Sequence, residues 1–291
     1  MKQAIDEQFL QQIELLSLSV KDNVAGLFGG NHKSKKYGSS CEFADYRDYM
    51  EGDDVTKIDW NIYGKFEKMY LKLYLDERQM QTRIYIDGSA SMKYFNKGEY
   101  AIRLATAFSY LSLKDMDKVN IYVIKGKQAV PVLENVIGKD AFLNSVNKLN
   151  NIKFEGDSFI SDAIIRSTVG YGDGKSILIS DFLTDNNYTD AIDYLRGKKR
   201  DVLCIQLLGE EEVNPNLRGK FVLHDSENDN KFYKDNINRD VLNAYKKALE
   251  FVTEKASSFC HSRDAEYLFL STGDDMKELF LNKMIQRGII Q

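Results

Sequence analysis

The spacing of hydrophobic and polar positions changes along the chain. Residues 4–19 carry apolar side chains at helical spacing, which predicts a helix at the start. These apolar positions are Ile5, Phe9, Leu10, Ile13 and Leu16. Residues 37–79 are dense in charged and aromatic side chains, and their last part, 69–77, alternates in the way of a strand.

From residue 83 onward, apolar runs alternate with helix-like segments. The strand-like runs are 83–87, 119–126, 176–183, 201–209 and 266–272. The helix-like runs are 99–113, 140–149, 161–169, 189–198, 239–260 and 275–285. This alternation predicts an α/β fold, doubly wound, with a mostly parallel central sheet, helices on both faces and right-handed crossovers.

Two segments interrupt the alternation. Residues 126–134 predict a short edge hairpin, because Pro131 is tolerated in a sheet only at an edge. Residues 220–235 predict a hairpin insertion, with 226–230 at its tip. The predicted domain organisation is an N-terminal helix and acidic-aromatic segment, 1–79, packed on an α/β domain, 80–291.

Composition narrows the class of protein. Among 291 residues, 43% are hydrophobic and 29% charged, as in globular proteins rather than disordered or membrane ones. The net charge of −4 gives no reason to expect nucleic acid as a partner. The basic run 32–36 is expected to be a solvated loop.

Cysteine usage and the N-terminus suggest a compartment. The three cysteines are odd in number and show no CxxC spacing, which is typical of reduced thiols. Asp6, Glu7 and Glu14 lie where a signal peptide keeps its core apolar, and no apolar stretch approaches the length of a membrane span. We therefore expect a cytoplasmic protein with no membrane insertion.

Candidate chemistry lies at the predicted ends of strands. Asp87 follows the first core strand, with Ser89 and Ser91 at alternate positions after it. Ser158 precedes a predicted helix, and Asp181 ends the apolar run that begins at residue 176. Ligands of open α/β sheets bind outside the carboxyl ends of the strands, so we expect these five side chains to converge in one crevice.

A crevice of hydroxyls and two acids suits a hard cation. Mg²⁺ takes six oxygen ligands and readily keeps waters, and Mn²⁺ or Ca²⁺ are alternatives. With few carboxylates, the bound metal is short of negative charge and can accept an acidic group from outside. The alternative interpretation is helix capping, which also favours Asp and Ser at such positions.

Together, the segments "DGSAS", "EGDSFISDA" and "ISDF" resemble the metal-ion-dependent adhesion site of von Willebrand factor A domains. The resemblance assigns Asp87, Ser89 and Ser91 to the first metal loop, Ser158 to the position of a threonine, and Asp181 to the distal acid. It extends over roughly residues 80–290 and implies the A-domain fold.

The chain departs from that adhesion-site pattern at three positions. Ser158 replaces the threonine but keeps the hydroxyl, and Asp157 stands at a usual glycine. Phe182 replaces the glycine of the common "TDG" sequence, so the shape of that loop needs a structural explanation.

The segment before the first core strand also resembles a known signature. "EFADYRDYMEGDDVTKIDW" is similar to the signature of a bacterial family of A-domain proteins catalogued as domain of unknown function fifty-eight. The matching residues are Glu42, Phe43, Arg47, Tyr49, Gly52, Asp53, Ile58, Asp59 and Trp60. The resemblance implies a metal-dependent adaptor or co-chaperone that acts beside a MoxR-type AAA+ ATPase.

The signature allows a structural and a functional interpretation. In the first, Arg47 pairs with Asp45, Asp48 or Asp59, and Trp60 anchors the segment on the sheet. In the second, the segment is a docking surface or a second catalytic patch.

Three functions remain open from the sequence. The first is a non-enzymatic module that grips a carboxylate of a partner, an AAA+ ATPase or its client, through the bound metal. The second is a Mg²⁺-dependent hydrolase or phosphoryl-transfer enzyme, although the chain lacks phosphate-binding glycine loops and a nucleophile-elbow motif. The third is a scaffold with a vestigial, metal-free site.

Overall fold

The computed structural model describes residues 4–24, 34–37, 43–76, 80–113, 117–172, 174–183, 187–224 and 232–279. The chain forms two compact units, residues 1–18 with 80–290, and residues 19–79. The start of the chain packs within the larger unit, where the Ile5 N–H donates to Asn150 Oδ1 at 2.9 Å.

From residue 81 onward the described strands mostly alternate with helices, apart from two pairs of consecutive strands within 118–136 and 219–237. The strands are β1 (Ser34–Tyr37), β2 (Phe43–Asp48), β3 (Tyr70–Asp76), β4 (Gln81–Asp87), β5 (Lys118–Lys125), β6 (Gln128–Val136), β7 (Lys175–Ser180), β8 (Asp201–Leu208), β9 (Gly219–His224), β10 (Phe232–Ile237) and β11 (Glu266–Ser271). The α-helices are α1 (Glu7–Val24), α2 (Trp60–Phe66), α3 (Lys97–Ser112), α4 (Lys139–Ser145), α5 (Ile160–Arg166), α6 (Thr189–Gly197), α7 (Glu210–Val213), α8 (Arg239–Ser262) and α9 (Met276–Glu278).

The larger unit is built on a central sheet of six described strands, in the order β11-β8-β7-β4-β5-β6. All neighbours are parallel except β5 and β6, which are antiparallel. The α/β class with a mostly parallel sheet is therefore confirmed. Residues 126–134 were expected to form a short edge hairpin. They supply one strand of it, β6, which pairs antiparallel with β5, and Pro131 lies on the edge of the sheet as predicted.

Both faces of the sheet are covered. Tyr85 of β4 packs into a buried cluster with residues of α5, α6 and α8, whereas its neighbours Ile84 and Ile86 are equally buried on the opposite face. An apolar run buried on both faces is the pattern expected of a parallel strand. This packing fixes the carboxyl end of β4, and with it Asp87, at the middle of the sheet.

The remaining predictions have mixed outcomes. Strands β9 and β10 form the predicted hairpin, although its tip, 226–230, lies outside the described residues. Of the predicted last helix, 275–285, only α9 is described. Among the described residues, no helix combines the length and apolar character needed to cross a membrane.

The smaller unit contains a sheet in the order β1-β3-β2, with antiparallel pairs. The predicted strand at 69–77 is confirmed as β3. The basic run was expected to be a loop, but its residues from Ser34 belong to β1, because backbone pairing with β3 overrides the polar character of the side chains.

Candidate metal site

A tight turn carries the chain out of β4 at Asp87. The Gly88 N–H donates to the Ile124 carbonyl at 3.0 Å, so this backbone lies directly against the end of β5. A Cβ at residue 88 would collide with the Ile124 carbonyl oxygen and the Val123 side chain. Only glycine permits this approach, which turns the following serines towards the crevice.

The loop at 155–158 is bonded to the turn after β4. The Ala90 N–H donates to the Gly156 carbonyl, and the Glu155 N–H donates to the Gly88 carbonyl, each at 2.8 Å. Gly156 has φ +72°, a left-handed conformation that favours glycine. A parallel bridge between Gly126 and Ser158 completes the arrangement.

Asp87 lies at the centre of the candidate site and is 2% exposed. Its Oδ1 accepts the Ser89 N–H at 2.9 Å, and its Oδ2 accepts the Ser180 hydroxyl at 2.6 Å. Burial and the nearby Asp181 raise the pKa of the Asp87 carboxyl, against the hydrogen bonds from Ser180, Ser89 and Ser158. In the absence of a cation, the ionised form of Asp87 is therefore disfavoured.

The hydroxyls do not serve as helix caps. Ser89 and Ser91 place their Oγ atoms 3.0 Å apart, and the Ser89 side chain makes no capping bond to the short helix that follows it. Helix α5 has Phe159, not Ser158, at its N-cap. The capping interpretation is therefore wrong for Ser89 and Ser158, whose hydroxyls instead bond to Ser91 and Asp87.

Asp181 is occupied by an ion pair that the sequence did not reveal. Its Oδ2 lies 2.8 Å from Lys97 Nζ, and the same ammonium lies 2.8 Å from Glu212 Oε1. Burial opposes the charge on Lys97, but Asp181 and Glu212 hold its pKa above the usual value. One feature of the sequence could have indicated this ion pair. Lys97 lies in the first turn of a helix, where a positive charge is unfavourable next to the helix dipole unless an acid pairs with it.

Strained backbone places both partners of this ion pair. Phe95 and Asn96, just before Lys97, have φ of 53° and 60°. Phe182, just after Asp181, has φ of 50°, so it takes the conformation that a glycine adopts easily. Phe182 therefore forms a left-handed loop at a conformational cost.

The donor set suits a hard divalent cation. The structure brings together Asp87, Ser89 and Ser91, with Ser158 bonded to Asp87 and Asp181 near enough to raise its pKa. These side chains offer only oxygen atoms, the preferred ligands of Mg²⁺. Within the described ranges there is no cluster of three or more His, Cys, Asp or Glu side chains suited to a metal, so a cation here depends on the hydroxyls.

In the signature segment, Asp59 makes the contacts that hold the turn together. Its Oδ1 accepts the N–H groups of Asn61 and Ile62 at the start of α2, at 2.9 and 3.3 Å. Its Oδ2 accepts the Tyr46 hydroxyl at 2.9 Å and lies 3.1 Å from Lys72 Nζ. Burial raises the pKa of Asp59, but the bonds from Lys72, Tyr46 and the backbone outweigh it and lower the pKa.

Two predictions for the signature are corrected. Arg47 was expected to pair with Asp45, Asp48 or Asp59, but its guanidinium binds Asp53 at 2.8 Å, since Asp59 already has other partners.

Trp60 was expected to be a buried anchor. Its side chain is 60% exposed, and its ring contacts Tyr63 edge to face. Ile58 is instead the buried apolar residue of this turn, at 5% exposure. Glu42 lies outside the described residues, and Phe43 begins β2. Tyr49 is partly exposed, and Gly52 has φ +101° in the turn before Asp53.

We expect Asp59→Ala to destabilise the smaller unit much more than Asp54→Ala. Asp59 caps α2 and holds Tyr46 and Lys72, whereas the exposed Asp54 side chain accepts hydrogen bonds from Thr56 alone among the described contacts. Thermal unfolding followed by the fluorescence of Trp60, the single tryptophan, measures the difference. Equal midpoints for the two variants would contradict the assigned role of Asp59.

Comparison with known proteins identifies related sequences. A family model described as "Protein of unknown function DUF58" matches residues 45–254. Uncharacterized proteins of Mycobacterium tuberculosis and Mycobacterium bovis are 24% identical over 231 residues, which cover 76% of this chain and 72% of each relative. The family match therefore includes the candidate metal site and the signature segment from residue 45 onward.

Solved structures give weaker likenesses. The pilus adhesin SpaC of Lactobacillus rhamnosus GG, in its open conformation, has a TM-score of 0.43 and 12% identity. That alignment covers 87% of this chain but about a third of the adhesin (34%). An uncharacterized membrane-spanning protein of Vibrio fischeri has a TM-score of 0.23 and 12% identity, over 72% of this chain and 98% of that one. Neither likeness carries an argument about this chain.

Proposed function

This chain belongs to the family described as protein of unknown function DUF58, and we propose that it is a metal-dependent protein-binding module. A divalent cation, Mg²⁺ in the first place, is held by Asp87, Ser89, Ser91 and Ser158, with Asp181 beside them. The cation binds a carboxylate of a partner protein. The likeness of these residues to the adhesion site of von Willebrand factor A domains supports the same function.

One observation carries the proposal: a buried carboxylate bonded to hydroxyls, with Asp181 as the nearby acid. Asp87 is bonded to Ser180 and Ser158, and its ionised form is disfavoured without a cation nearby. A divalent cation here keeps positive charge that hydroxyls do not neutralise. It therefore attracts an external carboxylate more strongly than an exposed lysine does.

The proposed partner is a MoxR-type AAA+ ATPase or its client, through an acidic surface residue. Support for this class comes from the resemblance of residues 42–60 to the family signature, which implies an adaptor that acts beside such an ATPase. We propose binding without turnover in a cytoplasmic setting, with neither nucleic acid nor membrane as a partner.

We expect association with the purified MoxR-type ATPase of the same organism to require both Mg²⁺ and Asp87. Surface plasmon resonance in Mg²⁺ and in EDTA measures it for the wild type, Asp87→Asn and Asp140→Asn. Asp140 is an exposed acid on α4 and provides the matched control. The wild type and Asp140→Asn should bind in Mg²⁺ only, and Asp87→Asn should bind in neither buffer.

Other results would select the alternatives. Binding that is equal in EDTA and Mg²⁺ would favour a metal-free scaffold. A parallel screen with phosphoesters tests enzymatic activity, and Mg²⁺-dependent turnover that Asp87→Asn abolishes would replace the proposal with a hydrolase or phosphoryl-transfer enzyme. The absence of association in every condition would overturn the choice of partner.

A further inference from the structure

We propose that Lys97 is an internal counter-cation that withholds Asp181 from the bound metal, so that the metal keeps the charge needed to bind an external carboxylate. The inference rests on the proposed function and assigns a role to a residue that none of the sequence motifs includes. It makes Lys97 a positioning residue, since its ammonium acts on the metal through Asp181.

Both carboxylate oxygens of Asp181 are engaged within the chain. Oδ2 lies 2.8 Å from Lys97 Nζ, and Oδ1 accepts the Leu183 N–H at 3.1 Å. The side chains of Lys97 and Asp181 are 1% and 4% exposed, so solvent does not screen this pair. Each oxygen keeps a further lone pair, but the buried ammonium offsets the negative charge that Asp181 would otherwise offer to a metal.

The partners of Lys97 are themselves held in place. The Gln206 side chain donates to the Asp181 carbonyl at 2.8 Å, and the Tyr267 hydroxyl donates to Gln206. Glu212 Oε2 accepts the Gly209 N–H at 2.6 Å, while its Oε1 faces the ammonium. A lysine fixed between two positioned carboxylates is a built arrangement rather than a surface ion pair that forms and breaks freely.

The charge balance shows what this arrangement achieves. With a metal bound and all three acids ionised, Asp87, Asp181 and Glu212 together with Lys97 carry a net charge of −2, which one divalent cation balances. A carboxylate that approaches the open side of the metal then meets no net negative charge. Without the ammonium the same group carries −3, and the metal then leaves an excess negative charge. An incoming carboxylate would be repelled in that case, although the metal itself would be held more tightly.

The test measures metal and carboxylate binding separately in the full chain. Mn²⁺ serves as the metal probe, by electron paramagnetic resonance, and acetate serves as the carboxylate probe, by its displacement of Mn²⁺-bound water in proton relaxation. We expect Lys97→Met to bind Mn²⁺ about tenfold more tightly and acetate several-fold more weakly than the wild type. Loss of packing alone would weaken both.

Glu212→Gln provides a second variant with the opposite expectation. This variant removes one negative charge, and Asp181 becomes the one charged partner of the Lys97 ammonium in this ion-pair group. Mn²⁺ should therefore bind more weakly and acetate more tightly. This variant keeps the test decisive if Lys97→Met does not fold, which circular dichroism checks. Asp140→Asn again serves as the surface control and should change neither affinity.

The outcomes separate the inference from the proposed function. If the wild type binds Mn²⁺ and acetate but the variants shift both affinities in the same direction, or neither, Lys97 has no such role and the metal site stands. If the wild type binds no Mn²⁺ at millimolar concentration, the proposed function and this inference fail together.

Discussion

Asp87→Asn is expected to abolish divalent-metal binding and, at the same time, to make the metal-free protein more stable. Asp87 supplies the central carboxylate of the site, so we expect the affinity for Mg²⁺ to fall by about 100-fold or more. Burial and the nearby Asp181 make its ionised form unfavourable when no cation is bound. Asparagine removes that charge and keeps an oxygen that can accept the Ser89 N–H.

The pH dependence of stability has a definite sign. A carboxyl whose pKa is raised by folding stabilises the fold below its unfolded-state pKa, and the contribution is lost as the pH rises through the folded-state value. For Asp87 the unfolded reference is 3.8, so the wild type in EDTA should lose stability as the pH rises above that value. Asp87→Asn should lack this component.

Thermal unfolding in EDTA and in Mg²⁺, with titration calorimetry for the metal, measures both effects. Each kcal/mol of unfolding free energy that Asp87→Asn adds in EDTA should raise the midpoint of thermal unfolding by about 2–4 °C in a unit of this size. Asp140→Asn should behave as the wild type in every buffer. An Asp87→Asn protein that is less stable than the wild type in EDTA, or that binds Mg²⁺ equally well, would contradict the assignment.

At residue 182 we expect glycine to be tolerated better than alanine. Phe182 is 3% exposed, and its ring centroid lies 4.9 Å from that of Tyr188, so its truncation to alanine should cost about 3–5 kcal/mol. Alanine retains a Cβ in the left-handed backbone, whereas glycine relieves that strain. Phe182→Gly should therefore be about 1 kcal/mol more stable than Phe182→Ala.

Phe142 supplies the matched control for this comparison. It is fully buried like Phe182, but it lies inside α4, where glycine is about 1 kcal/mol less favourable than alanine. Alanine should therefore give the more stable variant at residue 142, and glycine the more stable variant at residue 182. Urea unfolding of the four variants measures it, and the same order at both positions would show that the backbone at Phe182 is not strained.

The fold was predictable where one physical pattern dominated. The apolar runs of β4, β7 and β8 are buried on both faces, so their hydrophobicity revealed both the strands and the layers around them. Strand β1 was missed, because its polar sequence carries no period and its pairing partner is distant in the chain.

The hydroxyl and carboxylate side chains of the candidate site were predictable from the sequence, but its lysine, Lys97, was not. Asp87 and Asp181 could be found because each directly follows an apolar run. Lys97 could not be paired with Glu212, since 115 residues separate them and only the tertiary structure brings their side chains together. Trp60 was placed in the core because large aromatic residues are usually buried, yet α2 leaves it exposed.

The central position of β4 also sets the timing of assembly during synthesis. One of its two neighbours, β7, begins at Lys175, after the 87 residues from 88 to 174 have been added. At a ribosomal rate of about 5–20 residues per second, one edge of β4 stays unpaired for roughly 4–17 s. Asp181 and Glu212 emerge later still. The nascent chain therefore carries an open apolar strand edge, a target for chaperones or aggregation, well before a metal can bind.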